Sequence, residues 1–333
     1  MMMWMFVLLL VLLLAIAAMV FFGIVFLLLL VSPARKVNAA LFEQLPPFQP
    51  SHSELPAIQS YRARDGADLP YRYYESESDR VLIFLHGGSR DGRYLHMMAR
   101  YIAGIGLAKV YVPNLRGFGT NPARRGDIDY IGQITHDLGD LIDYIQNQHK
   151  PRRLLVGGHA AGGGTAIKLA SSSYGRQIDG LLLLAPMVGI GAPTERKHGA
   201  AGQVTAISVT RYIALNLLNA CRIRRFNHLP VLRVNKPEDR MGPYDTPEWS
   251  YRLMVSRLPG AQYEKELLSY KRPMLVLISE ADEEFDASQF KPLFDKCKQA
   301  ELHVLPGNLS QDSMLLSADT AEYINNWIRM VFR

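Results

Sequence analysis

Short apolar runs recur along this chain, and helix-like stretches fill the gaps between them. The runs lie at residues 81–85, 109–112, 154–156, 181–184, 274–278 and 302–305. They are strand-like in length, are bounded by turn residues and show no polar alternation, the pattern of strands buried on both faces. Helical periodicity appears between them at 130–146, 165–170, 288–298 and 320–332. Strands that alternate with helices predict an α/β protein built on a doubly wound, mostly parallel sheet with helices on both faces. Residues 61–64 and 71–74 flank Asp65-Gly66, a turn signal, and predict an opening hairpin. The rhythm breaks between 187 and 263. That interval holds a Gly/Ala-rich patch at 199–202, an amphipathic stretch at 207–218 and turns at Pro230, Pro237, Pro243 and Pro247. It reads as an inserted cap over the carboxyl ends of the strands, where open α/β sheets bind ligands.

The first 34 residues carry no charged side chain, and 1–31 are almost wholly apolar, with Gly23 the interruption. About 20 apolar residues cross a bilayer core. A signal peptide has a basic start and an apolar run of about 7–15 residues; this segment has no Lys or Arg before a longer run. It predicts a single-pass N-terminal transmembrane helix, an anchor over 1–34. Arg35 and Lys36 follow, and basic flanks favour the cytoplasmic side for the rest. Residues 35–56 read as a tether and 57–333 as the globular domain, with its cap at about 187–263. The bilayer is thus an expected partner. The net charge of +6 could suggest nucleic acid, but the basic residues are scattered and no nucleic-acid motif accompanies them, so none is expected. Cys221 and Cys297 form no disulfide framework and have no metal-ligand spacing. Neither a metal nor an organic cofactor is implied, and the oligomeric state stays open.

The most informative segment runs Leu154-Leu155-Val156-Gly157-Gly158-His159-Ala160-Ala161-Gly162-Gly163-Gly164. A buried strand enters a Gly-flanked turn and then a helix, the context of a G-x-S-x-G nucleophile elbow. Gly158 and Gly162 take the glycine positions, His159 precedes the centre, and the centre is Ala160. A methyl group cannot attack a carbonyl. Its glycine spacing matches neither G-x-G-x-x-G nor a P-loop. Two further segments accompany it: Phe84-Leu85-His86-Gly87-Gly88, and Pro113-Asn114-Leu115-Arg116-Gly117-Phe118-Gly119.

In this order and spacing the motifs resemble the α/β-hydrolase family, in its lysophospholipase and monoacylglycerol-lipase branch, from about Tyr61 to the C-terminus. That branch reads G-H-S-x-G-G at the elbow and D-x-R-G-x-G after the earlier strand. The resemblance implies an oxyanion hole from the N–H groups of Gly88 and Ala161, with Ser89 an alternative donor. It also implies a Ser, Asp or Glu, His triad in chain order. The acid falls on Asp282, with Asp286 the second choice in an acidic stretch that includes Glu283 and Glu284. The His position falls on Gln311, or on Ser310 by a strict count from Leu305-Pro306-Gly307. An amide does not titrate usefully near neutrality. No other histidine has a supporting context: His86 and His159 belong to the motifs, His303 to a strand, His96, His136 and His149 to helical patterns, and His52, His198 and His228 to tether or cap. Ser89, Ser310 and Ser313 have no base beside them.

The resemblance therefore implies a membrane-anchored ester hydrolase for lipid-like substrates whose nucleophile and base are absent. Natural loss, giving a pseudoenzyme, is favoured over replacement of a Ser and a His by design. The alternative is a non-catalytic module that holds a lipid or acyl ligand. The cap residues Ile213, Leu215, Leu217 and Leu218 would line an acyl channel or pack on the core. Arg222, Arg224 and Arg225, like Arg124 and Arg125, would meet anionic headgroups or solvent.

Overall fold

Burial on both faces accounts for the unbroken apolar strand runs. The computed structural model describes residues 2–30, 55–119, 124–196, 205–236 and 241–333. Helix α1 (Met2–Leu30) precedes the hairpin β1 (Ile58–Arg62) and β2 (Asp68–Tyr74). Then come β3 (Arg80–Leu85), α2 (His96–Gly104), β4 (Lys109–Pro113), α3 (Gln133–His149), β5 (Arg153–His159), α4 (Ala161–Ala170) and β6 (Gly180–Leu184). The next stretch contains β7 (Thr205–Ile207), α5 (Val209–Ala220), β8 (Pro230–Val234), β9 (Glu248–Ser250), α6 (Tyr251–Arg257) and α7 (Tyr263–Ser269). The chain ends with β10 (Met274–Ser279), α8 (Phe290–Phe294), β11 (Ala300–Leu305), α9 (Gln311–Met314) and α10 (Ala318–Val331).

The main sheet runs β1-β2-β4-β3-β5-β6-β10-β11. Its first two pairings are antiparallel, β1 with β2 and β2 with β4, and the rest are parallel. The doubly wound, mostly parallel sheet expected from the strand–helix alternation is present. Strands β3, β5, β6 and β10 are buried along nearly their whole length. The edge strand β11 is only half-buried, which fits its mixed sequence Ala-Glu-Leu-His-Val-Leu. The carboxyl ends of β3, β5, β10 and β11 all open on one rim, the place where such sheets bind ligands.

Several boundaries differ from the periodicity reading. The helix expected from 130 starts at Gln133, because Gly132 adopts a left-handed conformation with φ 97° and turns the chain into it. The helix expected from 165 starts at Ala161, directly after the sharp turn. The helix expected over 288–298 is a single 3₁₀ turn, Ala287–Gln289, followed by Phe290–Phe294. It stops early because the chain must reach Ala300 in register with Met274. Between β6 and β10 a separate antiparallel sheet, β7-β8-β9, forms from strands of three to five residues. Strands this short leave too few positions for a period to register.

Helix α1 is long and apolar enough to cross a membrane. Its last turns contact α5: Val25 is buried, and the Arg211 guanidinium donates to the Leu29 carbonyl at 3.1 Å. Arg35, Lys36, His52, His198, Pro237, the 199–202 patch and nearly all of the expected tether lie outside the described residues.

Candidate active site

The turn between β5 and α4 holds one residue in a strained conformation. Ala160 has φ 50° and ψ −119°, which a residue with a Cβ seldom adopts. Such a conformation costs roughly 1–3 kcal/mol and persists only where its surroundings fix it. Here the Ala160 N–H donates to Leu184 O at 3.0 Å, and the Ala160 carbonyl accepts from Gly163 N at 3.0 Å and Met187 N at 2.9 Å. The flanking glycines are required by contact. A Cβ on Gly158 would lie 2.2 Å from the Gly162 carbonyl, and one on Gly162 would lie 2.2 Å from Leu85 O. Helix α4 is thus pressed against the end of β3, and the residue-160 side chain is lifted at the rim. That side chain is a methyl group.

Beyond β3 the loop 86–88 adjoins the elbow. A Cβ built on Gly88 would be 3.8 Å from the Ala161 Cβ, and one on Gly87 would be 3.6 Å from the Ala160 Cβ. Among the described residues neither the Gly88 nor the Ala161 N–H is spent on another hydrogen bond. Three side chains hold this loop. His86 accepts from Leu115 N at 3.1 Å through Nε2, so its proton sits on Nδ1 and is donated to Gly87 O at 2.9 Å. Burial, and then the Arg257 charge, push His86 down to about 3, so it is neutral. Tyr94 Oη accepts from Gly87 N at 2.6 Å and meets His159 Nδ1 at 3.0 Å. Burial pushes His159 down to about 4, so this ring too is neutral and its bond to Tyr94 turns it away from base duty. The third side chain is Arg257, fully buried, which donates to His86 O at 2.7 Å, Gly87 O at 3.1 Å and Thr165 Oγ1 at 3.1 Å. Its guanidinium lies over the faces of Phe118 and Trp249.

The other side of the site comes from the ends of β10 and β11. Asp282 is buried, and its Oδ1 accepts from Phe285 N at 2.7 Å, Glu284 N at 2.9 Å and Gln311 Nε2 at 3.1 Å. Its Oδ2 is buried with no partner among the described residues. Desolvation raises the Asp282 carboxyl above the ordinary aspartate value, and these hydrogen bonds offset part of that rise. Gln311, at the start of α9, also donates its N–H to Glu283 at 3.0 Å and its amide to Glu284 at 3.4 Å. Burial together with the Asp282 charge pushes Glu283 up to about 7 and Glu284 up to about 8. Glu195 rises to about 7, through burial.

The structure thus brings Asp282 to Gln311. Ser310 instead caps α9, bonding Ser313 N at 3.2 Å and Ser313 Oγ at 2.9 Å. Asp286 caps a surface turn through Ser288. The remaining described histidines are engaged elsewhere: His96 with Tyr74, His149 with Tyr111, His136 with Tyr130, His303 with Glu301, and His228 with a main-chain carbonyl. Ser89 O accepts from Thr246 N at 2.8 Å. Sequence reasoning missed Tyr94, Glu195, Trp249 and Arg257. Arg257 ends a short helix, and nothing in the sequence beside it signals its burial. Among the described residues no group of His, Cys, Asp and Glu could hold a metal ion.

Comparison with known proteins sets this geometry in a family. The family model described as serine aminopeptidase, S33 (Hydrolase_4) matches residues 76–309, which include Gly88, Ala160 and Asp282 and stop just before Gln311. Bovine (Bos taurus) protein phosphatase methylesterase 1 is 26% identical over 115 residues, 34% of this chain and 30% of that protein, so the chain spans under a third of that relative's length. The solved structure of a soluble variant of monoglyceride lipase from Saccharomyces cerevisiae, bound to a substrate analogue, shares 16% identity. It aligns over 86% of this chain and 98% of its own, with a TM-score of 0.60. A thermophilic esterase from Thermogutta terrifontis, with malate bound, aligns over 84% and 100% at 16% identity and a TM-score of 0.57. At these identities the solved structures show a shared fold.

Proposed function

The chain belongs to the serine aminopeptidase S33 family of esterase- and lipase-like α/β hydrolases, and on that footing we propose that it is a membrane-anchored member of the carboxylic-ester branch with a catalytically silent site. In a working site of this kind a serine attacks the ester carbonyl, a histidine takes its proton and an acid orients the imidazole. Ala160, Asp282 and Gln311 take those three positions in our reading, with Gly88 and Ala161 as oxyanion donors. One observation carries the proposal: a strained elbow at the end of β5 whose side chain is a methyl group, together with an Asp282 after β10 whose side-chain partner is an amide. The methyl group has no lone pair, and the Gln311 amide, already a donor to Asp282, accepts no proton near neutrality. What survives is the capacity to hold an acyl group at the two N–H donors, so the site binds a lipid-like ester or acyl ligand without turning it over.

The anchor reading rests on α1 and its neighbour α5. Val209, Ile213 and Leu217 form an exposed apolar stripe at helical spacing on α5, and the exposed Arg222, Arg224 and Arg225 follow it. Such a surface suits the headgroup boundary of the bilayer that α1 would cross. With Arg35 and Lys36 just after α1, the globular domain faces the cytoplasm.

Hydrolysis of a monoacylglycerol and of a short p-nitrophenyl ester, by the full chain in neutral detergent, tests the proposal. The chain is expected to match the buffer blank, and the Ala160→Ser, Gln311→His double variant to exceed it by at least a hundredfold. Turnover by the unaltered chain that Asp282→Ala abolishes would overturn the proposal. A folded double variant that stays inactive while lipid co-purifies would favour a pure binding module.

A further inference from the structure

Arg257 is a buried cation that no carboxylate neutralises among the described residues. Its donors reach two main-chain carbonyls and one hydroxyl, and its faces meet two aromatic rings. Burial pushes it down to about 9, so it still carries its charge at neutral pH. Leaving a charge uncompensated in the interior is costly. The arrangement makes sense from the far side of the peptides that it touches. The Gly87 carbonyl, which accepts from both Arg257 and His86, belongs to the same peptide group as the Gly88 N–H. Two donors on that oxygen polarise the peptide and strengthen its N–H as a donor. On the other side Arg257 holds Thr165, whose hydroxyl donates to the Ala161 carbonyl at 2.9 Å, one turn into α4. One guanidinium therefore ties together the two segments that carry the free N–H groups, Gly88 and Ala161, and adds its own positive charge behind them. The start of α4 contributes partial positive charge in the same direction.

We infer that this hole is a binding site for a carboxylate, namely the head of a fatty acid, with Arg257 as the positioning residue that polarises and orients its donors. The inference rests on the silent-site reading, since a functional serine would use the same hole for a transient oxyanion. With a methyl group at residue 160 no nucleophile competes for the space. A carboxylate supplies the negative charge that Arg257 lacks, and its oxygens accept from Gly88 N and Ala161 N. Glu283 and Glu284, held up to about 7 and 8, are largely protonated below neutrality and oppose an incoming anion less than ordinary carboxylates would.

The test measures binding of hexanoate, labelled with ¹³C at the carboxyl, against methyl hexanoate as its neutral isostere. The full chain is held in phosphatidylcholine nanodiscs, with empty nanodiscs as blank. Hexanoate is expected to bind at least tenfold more tightly than the ester, and Arg257→Gln to bring the two within twofold. Arg257→Lys, which keeps the charge, should retain part of the preference. A purely structural arginine would lower stability without moving that ratio. If Arg257→Gln does not fold, Ala160→Asp decides, because it places a carboxylate in the hole. It should raise the melting temperature and weaken hexanoate at least tenfold. Equal binding of acid and ester by the unaltered chain, or undiminished hexanoate binding in Ala160→Asp, would overturn the inference while leaving the silent-site reading intact. Hydrolysis of methyl hexanoate would overturn that reading instead.

Discussion

Glu284→Gln probes the electrostatic consequence of an amide at position 311. Asp282, Glu283, Glu284 and Glu195 share one partly buried region, and the Gln311 amide is a neutral donor to two of them, Asp282 and Glu284. An imidazolium there would supply positive charge; an amide supplies none, so the acids retain protons instead. Glu284 moves from its ordinary 4.5 to about 8. Each pH unit of such a difference is about 1.4 kcal/mol, so the nominal cost of ionising Glu284 in the fold is roughly 4–5 kcal/mol by linkage. Partial exposure screens some of it, and about 2–3 kcal/mol should remain. The folded carboxyl binds its proton more tightly than the unfolded one. Its contribution is therefore intact below about pH 4.5 and lost as pH climbs toward 8. The glutamine isostere cannot ionise. Urea unfolding of the full chain in mild detergent should give equal stability for the two proteins at pH 4.5, and a variant more stable by about 2–3 kcal/mol at pH 8.5. A variant with the same pH slope as the parent, or one less stable at pH 8.5, would refute the reasoning.

Two further substitutions examine the frame around the site. Arg116 and Asp137 are both buried and joined by two bonds of 2.9 Å, so Arg116→Met should cost about 3–5 kcal/mol by stranding Asp137; adding Asp137→Leu should recover most of that loss in the same urea measurement. Ala160→Gly should relieve the strain at φ 50°, worth roughly 1–3 kcal/mol, against about 0.5–1 kcal/mol of added chain entropy; a net gain near 1 kcal/mol is expected, and a loss would mean that the elbow stores no strain.

The central sheet was legible because its strands are buried on both faces, which leaves long apolar runs that solvent-facing strands would not show. Gly158 and Gly162 were legible because the close approach of α4 to the ends of β5 and β3 admits no side chain, a demand visible as glycine at fixed spacing. Asp282 and Gln311 were named in advance through the family resemblance, which sets the order of the acid and the base after the last two strands but left Asp286 and Ser310 as alternatives. The short strands β7 and β9 were not legible, since three residues carry no period. Arg257 was not legible for a different reason. Its partners are main-chain carbonyls and ring faces, and neither leaves a mark in the sequence beside it. Glu195 escaped because it reaches the acidic cluster from the loop after β6, far along the chain from Asp282.

The central claim is that the elbow presents no nucleophile. A fluorophosphonate probe, which forms a covalent bond with an activated serine, reads this directly. The full chain should take no label under conditions that saturate a working serine esterase. The Ala160→Ser, Gln311→His variant should take one label per chain, mapped by peptide mass to position 160. Labelling of the unaltered chain at any residue would contradict the account, and so would a folded double variant that remains unlabelled.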